Sequence, residues 1–182
     1  MQCKAGKPIG LIEVRRRPGK PTEGLMTVGP LVVRCALGRT GTSMLKREGD
    51  GATPIGDLRL LHGYFRADRS PSGPPGSRFR LAPIDARDGW CDAPGDRNYN
   101  RPVRLPYPTS HERMARQDRL YDVCMVSDWN MRPAIRNRGS AIFFHIARPG
   151  FPPTEGCIAV APLAMARILP LIGPRTRIRI HR

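Results

Sequence analysis

The chain has 182 residues, enough for a single domain over 1–182 with its own core, and 40% of them are hydrophobic, as in ordinary globular proteins. The net charge of +16 would suit an anionic partner such as nucleic acid, but the basic residues are scattered and all Arg except Lys4, Lys7, Lys20 and Lys46, a bias that genome composition also produces. Aromatic residues at 6% leave few platforms for stacking bases, and no apolar run is long enough for a membrane span, so neither a nucleic-acid-binding module nor a transmembrane protein is favoured.

Short runs rich in β-branched residues open the chain. Residues 10–17 and 25–37 predict strands joined by tight turns. The polar, glycine-rich segment 46–56 predicts a loop, and it leads into a partly buried strand over 57–65. The first third of the chain is therefore expected to be β structure.

The middle of the chain is rich in turn-forming residues. Residues 66–80 hold several prolines and glycines and predict an exposed loop. Residues 87–108 combine Asp, Asn, Pro and aromatic residues without a clear period, which predicts an irregular segment that wraps the domain. Residues 111–120 predict a short helix with Ser110 as its N-cap.

The strongest strand predictions fall at 120–128 and 140–147. The second segment is nearly all apolar, which is typical of a strand in the centre of a sheet. Residues 148–155 predict a loop, and residues 156–161 predict a further strand.

The C-terminal part contributes the clearest helix. Pro162 suits a first helical position, and the helix is expected to run to about Leu171. Residues 176–180 alternate between apolar and basic side chains and predict a closing, half-exposed strand. The predicted fold class is mainly β with one or two short helices.

Five cysteines are the main candidates for chemistry. No pair has the spacing of a zinc site, so neither a metal nor a cofactor is expected. Cys35 and Cys124 lie in apolar runs, where buried, inert thiols are the ordinary interpretation. Cys157 follows a loop and remains the thiol with a functional interpretation.

His145 and Cys157 lie near the ends of two neighbouring predicted strands. If these strands form an antiparallel hairpin, the two side chains face each other, and an imidazolium would hold the thiol as a thiolate nucleophile. Gly156 permits a sharp turn, after which the N–H groups of Gly156 and Cys157 could bind an oxyanion. From the residues alone, a structural pair of core side chains is about equally well supported.

A family resemblance favours the catalytic interpretation. The segment GSAIFFHIARPGFPPTEGCIAVAPLAMARIL (139–169) resembles the catalytic motif of L,D-transpeptidases of the YkuD type, with Thr154, Gly156 and Cys157 at matching places. KREGDGATPIGDLRL (46–60) and WCDAPGDRNYNRPVRLPYPTSHERM (90–114) resemble the short stand-alone branch of this family. The similarity extends over about residues 9–180.

The resemblance implies a β-sandwich or barrel of mixed sheets that acts on the peptide stems of peptidoglycan. Cys157 would attack a tetrapeptide stem after its third residue and release D-Ala, and an amine or water would resolve the acyl-enzyme. His145 would be the base, oriented by a backbone carbonyl rather than by an acidic residue. The family's cysteine is also the residue that carbapenems acylate.

Further substrate contacts are expected around this pair. Arg148 and Thr154 are candidates in the loop before Cys157, although a solvated Arg148 is the simpler interpretation. Trp90, Tyr99 and Asn100 are candidates for lining the cleft, with a structural role equally well supported. Many family members have His and Asn where this chain has Glu155 and Ala159, which leaves transfer to an amine and hydrolysis open.

Other functions fit the sequence less well. Sortase-like and papain-like peptidases place Cys and His differently, and a non-catalytic wall-binding protein would not need both Cys157 and His145. A peptidoglycan substrate predicts a periplasmic or cell-envelope location, although the first 20 residues show no apolar region of a signal peptide. The protein is expected to be a monomer that binds no nucleic acid.

Overall fold

The computed structural model describes residues 7–182, which contain fourteen short strands and one short α-helix. The strands are β1 (Ile9–Arg17), β2 (Lys20–Val28), β3 (Leu31–Ala36), β4 (Thr42–Ser43), β5 (Thr53–Pro54), β6 (Gly56–Phe65), β7 (Leu81–Pro83), β8 (Asp88–Cys91), β9 (Arg101–Arg104), β10 (His111–Arg113), β11 (Val123–Ser127), β12 (Phe143–Ile146), β13 (Ile158–Val160) and β14 (Ile172–Ile180). The helix is α1 (Pro162–Ile168), followed by a 3-10 turn over Leu169–Leu171. No helix among these residues is long and apolar enough to cross a bilayer.

The largest sheet closes on itself. Its strand order is β11-β12-β13-β3-β2-β1-β14-β6-β7, and β11 also pairs with β6, so the edges meet. The pairs β1–β14, β12–β13 and β6–β7 are parallel and the others are antiparallel. The predicted mainly β fold with mixed sheets is therefore confirmed.

Alternating side chains of these strands fill the barrel. The interior is apolar and fully buried, with members such as Ile12, Leu60, Met125, Phe144 and Ile158. Successive residues of a strand point to opposite faces, so the neighbours of these residues point outwards. The β11 and β12 strands are buried on both faces, which explains why residues 140–147 are almost entirely apolar.

A second, small sheet covers the outer face of β11 and β12. It has the order β10-β8-β9, and its Trp90 packs edge-on against Phe143 with the ring centroids 5.1 Å apart. The predicted irregular segment 87–108 therefore contains two strands, and the predicted helix over 111–120 is wrong, since β10 begins there. Strands of three or four residues are too short to show a period, and burial of Trp90 and Met114 against the barrel outweighs local helix propensity.

The ends of the chain match their predictions more closely. The α1 helix has Pro162 in its first turn, and Met165 and Ile168 bury its inner face in the barrel core. Residues 176–180 belong to β14, where alternate side chains are buried. The 66–80 segment contains neither strand nor helix, as its prolines predict.

Candidate active site

A cleft of about 390 Å³ opens between the barrel and the small sheet, a size within the range of small-ligand sites. Cys157, His145 and Ala141 contribute to its lining. Polar side chains surround them: Glu48, Asp92, Glu112, Arg116, Arg148, Thr154 and Glu155. The nucleophile and base that the sequence predicts therefore share one cleft.

The strands that carry the pair are parallel, so the predicted antiparallel hairpin is wrong. His145 of β12 is opposite Ala159 of β13, and Cys157 lies two residues before Ala159. Residues two apart point to the same face of a strand, and this geometry brings Cys157 to the side of the sheet where His145 lies. The intervening loop crosses the barrel end, where the Thr154 N–H donates to Leu37 O at 2.9 Å, and this crossing permits the parallel arrangement.

The Cys157 thiol is held by the segment just before β12. Its Sγ accepts a hydrogen bond from the Phe143 N–H at 3.3 Å and donates one to Ala141 O at 3.1 Å. Only 9% of the residue is exposed, and burial raises the pKa of the thiol to about 12, although the Phe143 N–H acts in the opposite direction. Burial therefore favours the protonated thiol at Cys157.

The His145 imidazole is neutral as well. Burial lowers its pKa to about 4, and its Nδ1 lies 2.9 Å from Ile146 O. A carbonyl only accepts, so Nδ1 carries the proton and Nε2 is left with a free lone pair. Burial opposes both charges of the predicted resting pair of thiolate and imidazolium, whereas the predicted backbone carbonyl partner is present.

The turn before Cys157 depends on Gly156 and Thr154. The Gly156 N–H donates to Thr154 Oγ1 at 3.2 Å, and this hydroxyl donates to Cys157 O at 2.7 Å. The Gly156 N–H is thus bonded to Thr154 in this structure rather than directed at an oxyanion site. Thr154 supports the turn and also lines the cleft.

We expect Gly156→Ala to unfold the turn and to lower activity at least tenfold. Gly156 has φ +133°, and a Cβ there would lie 2.8 Å from the backbone oxygen of Ala52. A backbone atom cannot move aside as the end of a flexible side chain could. A left-handed backbone and a steric clash together cost about 3 kcal/mol of unfolding free energy. Urea denaturation and turnover of a stem peptide would measure both effects.

Gly10→Ala is the matched control, because a Cβ at Gly10 meets no heavy atom within 4 Å. We expect it to leave both stability and turnover close to those of the unmodified protein. If Gly156→Ala behaved in the same way, the turn would not depend on glycine.

A chain of ion pairs forms one wall of the cleft. Arg116 binds both Glu112 and Asp118, and Arg148 donates to Asp118 at 3.0 Å. Hydrogen bonding from Arg116 holds the pKa of Asp118 well below its usual range. Arg148 is 56% exposed at the mouth of the cleft, so a substrate carboxylate would share it with Asp118.

Sequence reasoning missed Glu112, Arg116 and Asp118. They lie in the segment for which a helix was predicted. Only the tertiary fold brings Glu112 and Arg116 into the cleft lining with Cys157, where Asp118 binds Arg116 and Arg148. Burial raises the pKa of Glu112 despite its partner Arg116, as expected for a carboxyl group inside the cleft wall. The run of charged residues in 111–120 is the sequence feature that could have indicated a charged wall of the cleft.

Three of the proposed lining residues lie behind the cleft. Trp90, Tyr99 and Asn100 are each at most 4% exposed, and none belongs to the lining. Their bulk fills the space between the small sheet and the barrel. Tyr99 donates its hydroxyl hydrogen bond to Glu48, which does line the cleft. These three residues support the site from beneath.

Comparison with known proteins agrees with this geometry. A family model described as the L,D-transpeptidase catalytic domain, YkuD, matches residues 20–180. Neither a curated protein nor a solved structure gave a significant match. The matched range includes every residue of the cleft described above. This chain therefore belongs to the YkuD family of L,D-transpeptidase catalytic domains.

Proposed function

We propose that this protein is a peptidoglycan L,D-transpeptidase that works through an acyl-enzyme on Cys157. The observation that carries the proposal is the pairing, in one cleft, of a protonated thiol with a neutral imidazole whose Nδ1 is held by Ile146 O. A neutral imidazole with a free Nε2 is the form of His that accepts a proton. The substrate would be a tetrapeptide stem.

The reaction needs only these two side chains for proton transfer. The Cys157 proton moves to His145 Nε2 as Sγ attacks the carbonyl of the third stem residue, and an S–C bond forms. Collapse of the tetrahedral intermediate breaks the peptide bond to D-Ala, whose nitrogen takes the proton from His145. An amine then attacks the thioester and loses a proton to His145. The S–C bond breaks, and Cys157 Sγ takes that proton back from His145.

The charge of the cleft supports an amine as acceptor. Its lining holds four carboxylates, those of Glu48, Asp92, Glu112 and Glu155, against two guanidinium groups, those of Arg116 and Arg148, in a chain whose net charge is +16. One oxygen of Asp92 is buried without a hydrogen-bond partner in the described residues. The carboxylate of Asp92 also contributes to the cleft lining, where its negative charge would attract a substrate amine.

The proposed substrate also implies a place of action. Peptidoglycan stems are processed in the cell envelope, so we propose that the protein acts in the periplasm or at the cell wall. Stem peptides would be its partners.

Mass spectrometry of products from a disaccharide-tetrapeptide, with and without an added amine acceptor, tests the proposal. We expect loss of D-Ala and a new amide to the acceptor. A tripeptide substrate, which lacks D-Ala, is the matched control and should stay unchanged. Loss of D-Ala with addition of water alone would make the enzyme an L,D-carboxypeptidase, and no release of D-Ala would exclude both activities.

A further inference from the structure

Asn100 uses its whole hydrogen-bonding capacity beneath the cleft. Its Oδ1 accepts from Trp90 Nε1 and from the Ala141 N–H, each at 3.0 Å. Its Nδ2 donates to the backbone oxygens of Trp129 and Asn130, each at 2.9 Å. The residue is 2% exposed, so these four bonds replace water completely.

Ala141 is the partner that connects this network to the nucleophile. Its carbonyl accepts the hydrogen bond from the Cys157 thiol at 3.1 Å. Ala141 has φ +51°, a left-handed conformation that residues with a Cβ rarely adopt. Such a conformation persists only where the surroundings hold it, and the bond from Ala141 N–H to Asn100 is a direct restraint on this peptide.

We propose that Asn100 is a positioning residue for the nucleophile. By holding Ala141 in the left-handed conformation, it places the carbonyl that accepts the hydrogen bond from the Cys157 thiol. This contact keeps the thiol neutral and its Sγ in one orientation until a substrate draws it towards His145. The inference rests on the proposed role of Cys157 as nucleophile, and it assigns Asn100 a function other than substrate contact.

The alternative is that Asn100 only ties down the backbone at Trp129 and Asn130. The two ends of its side chain separate these roles. Asn100→Asp keeps an acceptor for the Ala141 N–H but loses the two amide donors. Asn100→Gly loses both ends, and glycine tolerates the φ of +58° found at this position.

Two measurements test the proposal. The first is the rate of alkylation of Cys157 by iodoacetamide at pH 8, followed by peptide mass spectrometry. A carbonyl that accepts from the thiol favours the neutral form, so Asn100→Gly should raise this rate by about tenfold. The second is turnover, where Asn100→Gly should lower kcat by about tenfold with KM within about twofold, because the nucleophile is no longer held in place.

Rescue and stability controls exclude a merely structural effect. Asn100→Asp should stay closer to the unmodified protein in both measurements. Adding Ala141→Gly to Asn100→Gly should move both values back, because glycine adopts the left-handed conformation without restraint. Thr176→Val removes buried hydrogen bonds to Gly173 N and Ile9 O at another part of the barrel, and it should lower the melting temperature without changing alkylation.

The proposal would be overturned if the alkylation rate were unchanged in Asn100→Gly. It would also be overturned if alkylation and turnover changed as much in Asn100→Asp as in Asn100→Gly. If Asn100→Gly fails to fold, the alkylation rates of Asn100→Asp and Thr176→Val are compared instead, at equal melting temperature. An alkylation rate that changes more than twofold in Asn100→Asp but not in Thr176→Val would overturn the proposal. Alkylation needs no stem peptide. A protein without turnover would refute the proposed function while this test still gave its answer.

Discussion

Replacement of Cys157 by Ala is expected to abolish turnover, with a loss of about four orders of magnitude or more, because no other group can form the acyl-enzyme. The fold should persist. The side chain is small and buried, and its removal frees only the Phe143 N–H and the Ala141 carbonyl from one bond each. D-Ala release, measured with purified stem peptide, and a melting curve would separate the two effects.

Cys35 provides the matched control for this experiment. It is fully buried in β3, and burial raises the pKa of its thiol to about 12, as it does for Cys157. Cys35→Ala should therefore leave turnover nearly unchanged. A carbapenem should add one mass equivalent to the unmodified protein and to Cys35→Ala, but none to Cys157→Ala. Turnover that survives in Cys157→Ala would refute the acyl-enzyme mechanism.

That His145 and Cys157 form a candidate pair could be inferred from the sequence, but the arrangement of their strands could not. A Gly-Cys step after a loop and a His in an apolar strand are local features. Whether two neighbouring strands run parallel depends on where the loop between them passes, and here it crosses the barrel end near Leu37. The wrong hairpin still placed His145 and Cys157 on one face, because both arrangements preserve the alternation of side chains.

Charge states depend on burial, which local sequence does not specify. A Cys beside a His suggests an ion pair, since each charge stabilises the other in water-accessible sites. Here Phe143 and Tyr121 pack around the pair, and the Tyr121 ring meets the His145 ring edge-on with centroids 5.4 Å apart. Desolvation is the largest influence on the pKa of each group, and it favours the neutral form of both.

The strands of the barrel were predictable for the opposite reason. Residues 140–147 are almost all apolar and residues 176–180 alternate between apolar and basic side chains, as the burial of β12 and β14 requires. These two strands could therefore be predicted from local sequence. The small sheet consists of strands with three or four residues, and its position depends on contacts such as Trp90 with Phe143. Tertiary contacts of this kind also decide that Asn100 lies beneath the cleft rather than in its lining.

A neutral resting pair has a chemical consequence. In the proposed reaction the thiolate forms only when the proton moves to His145, so we expect its formation to accompany attack on the carbonyl. A neutral thiol resists oxidation better than a thiolate. We therefore expect His145 to act as a general base rather than only to stabilise a thiolate that is already present.

His145→Ala should therefore lower kcat/KM by about a thousandfold, within the range for loss of a general base. The pH profile provides a second signature. Because burial lowers the pKa of His145 to about 4, the unmodified enzyme should hold its rate as the pH falls to about 4 and lose it below, when the imidazole is protonated. Initial rates of D-Ala release between pH 3 and pH 9, taken within the range where the fold persists, would measure this.

His62→Gln is the matched control, because His62 is a partly buried histidine of β6 whose pKa is also lowered by burial, and it lies outside the cleft lining. We expect this variant to keep both the rate and the acid limb of the profile. In His145→Ala the acid limb near pH 4 should disappear, since the group that titrates is gone. An acid limb near pH 6.5, as for an exposed histidine, or a limb that survives in His145→Ala, would mean that another group is the base.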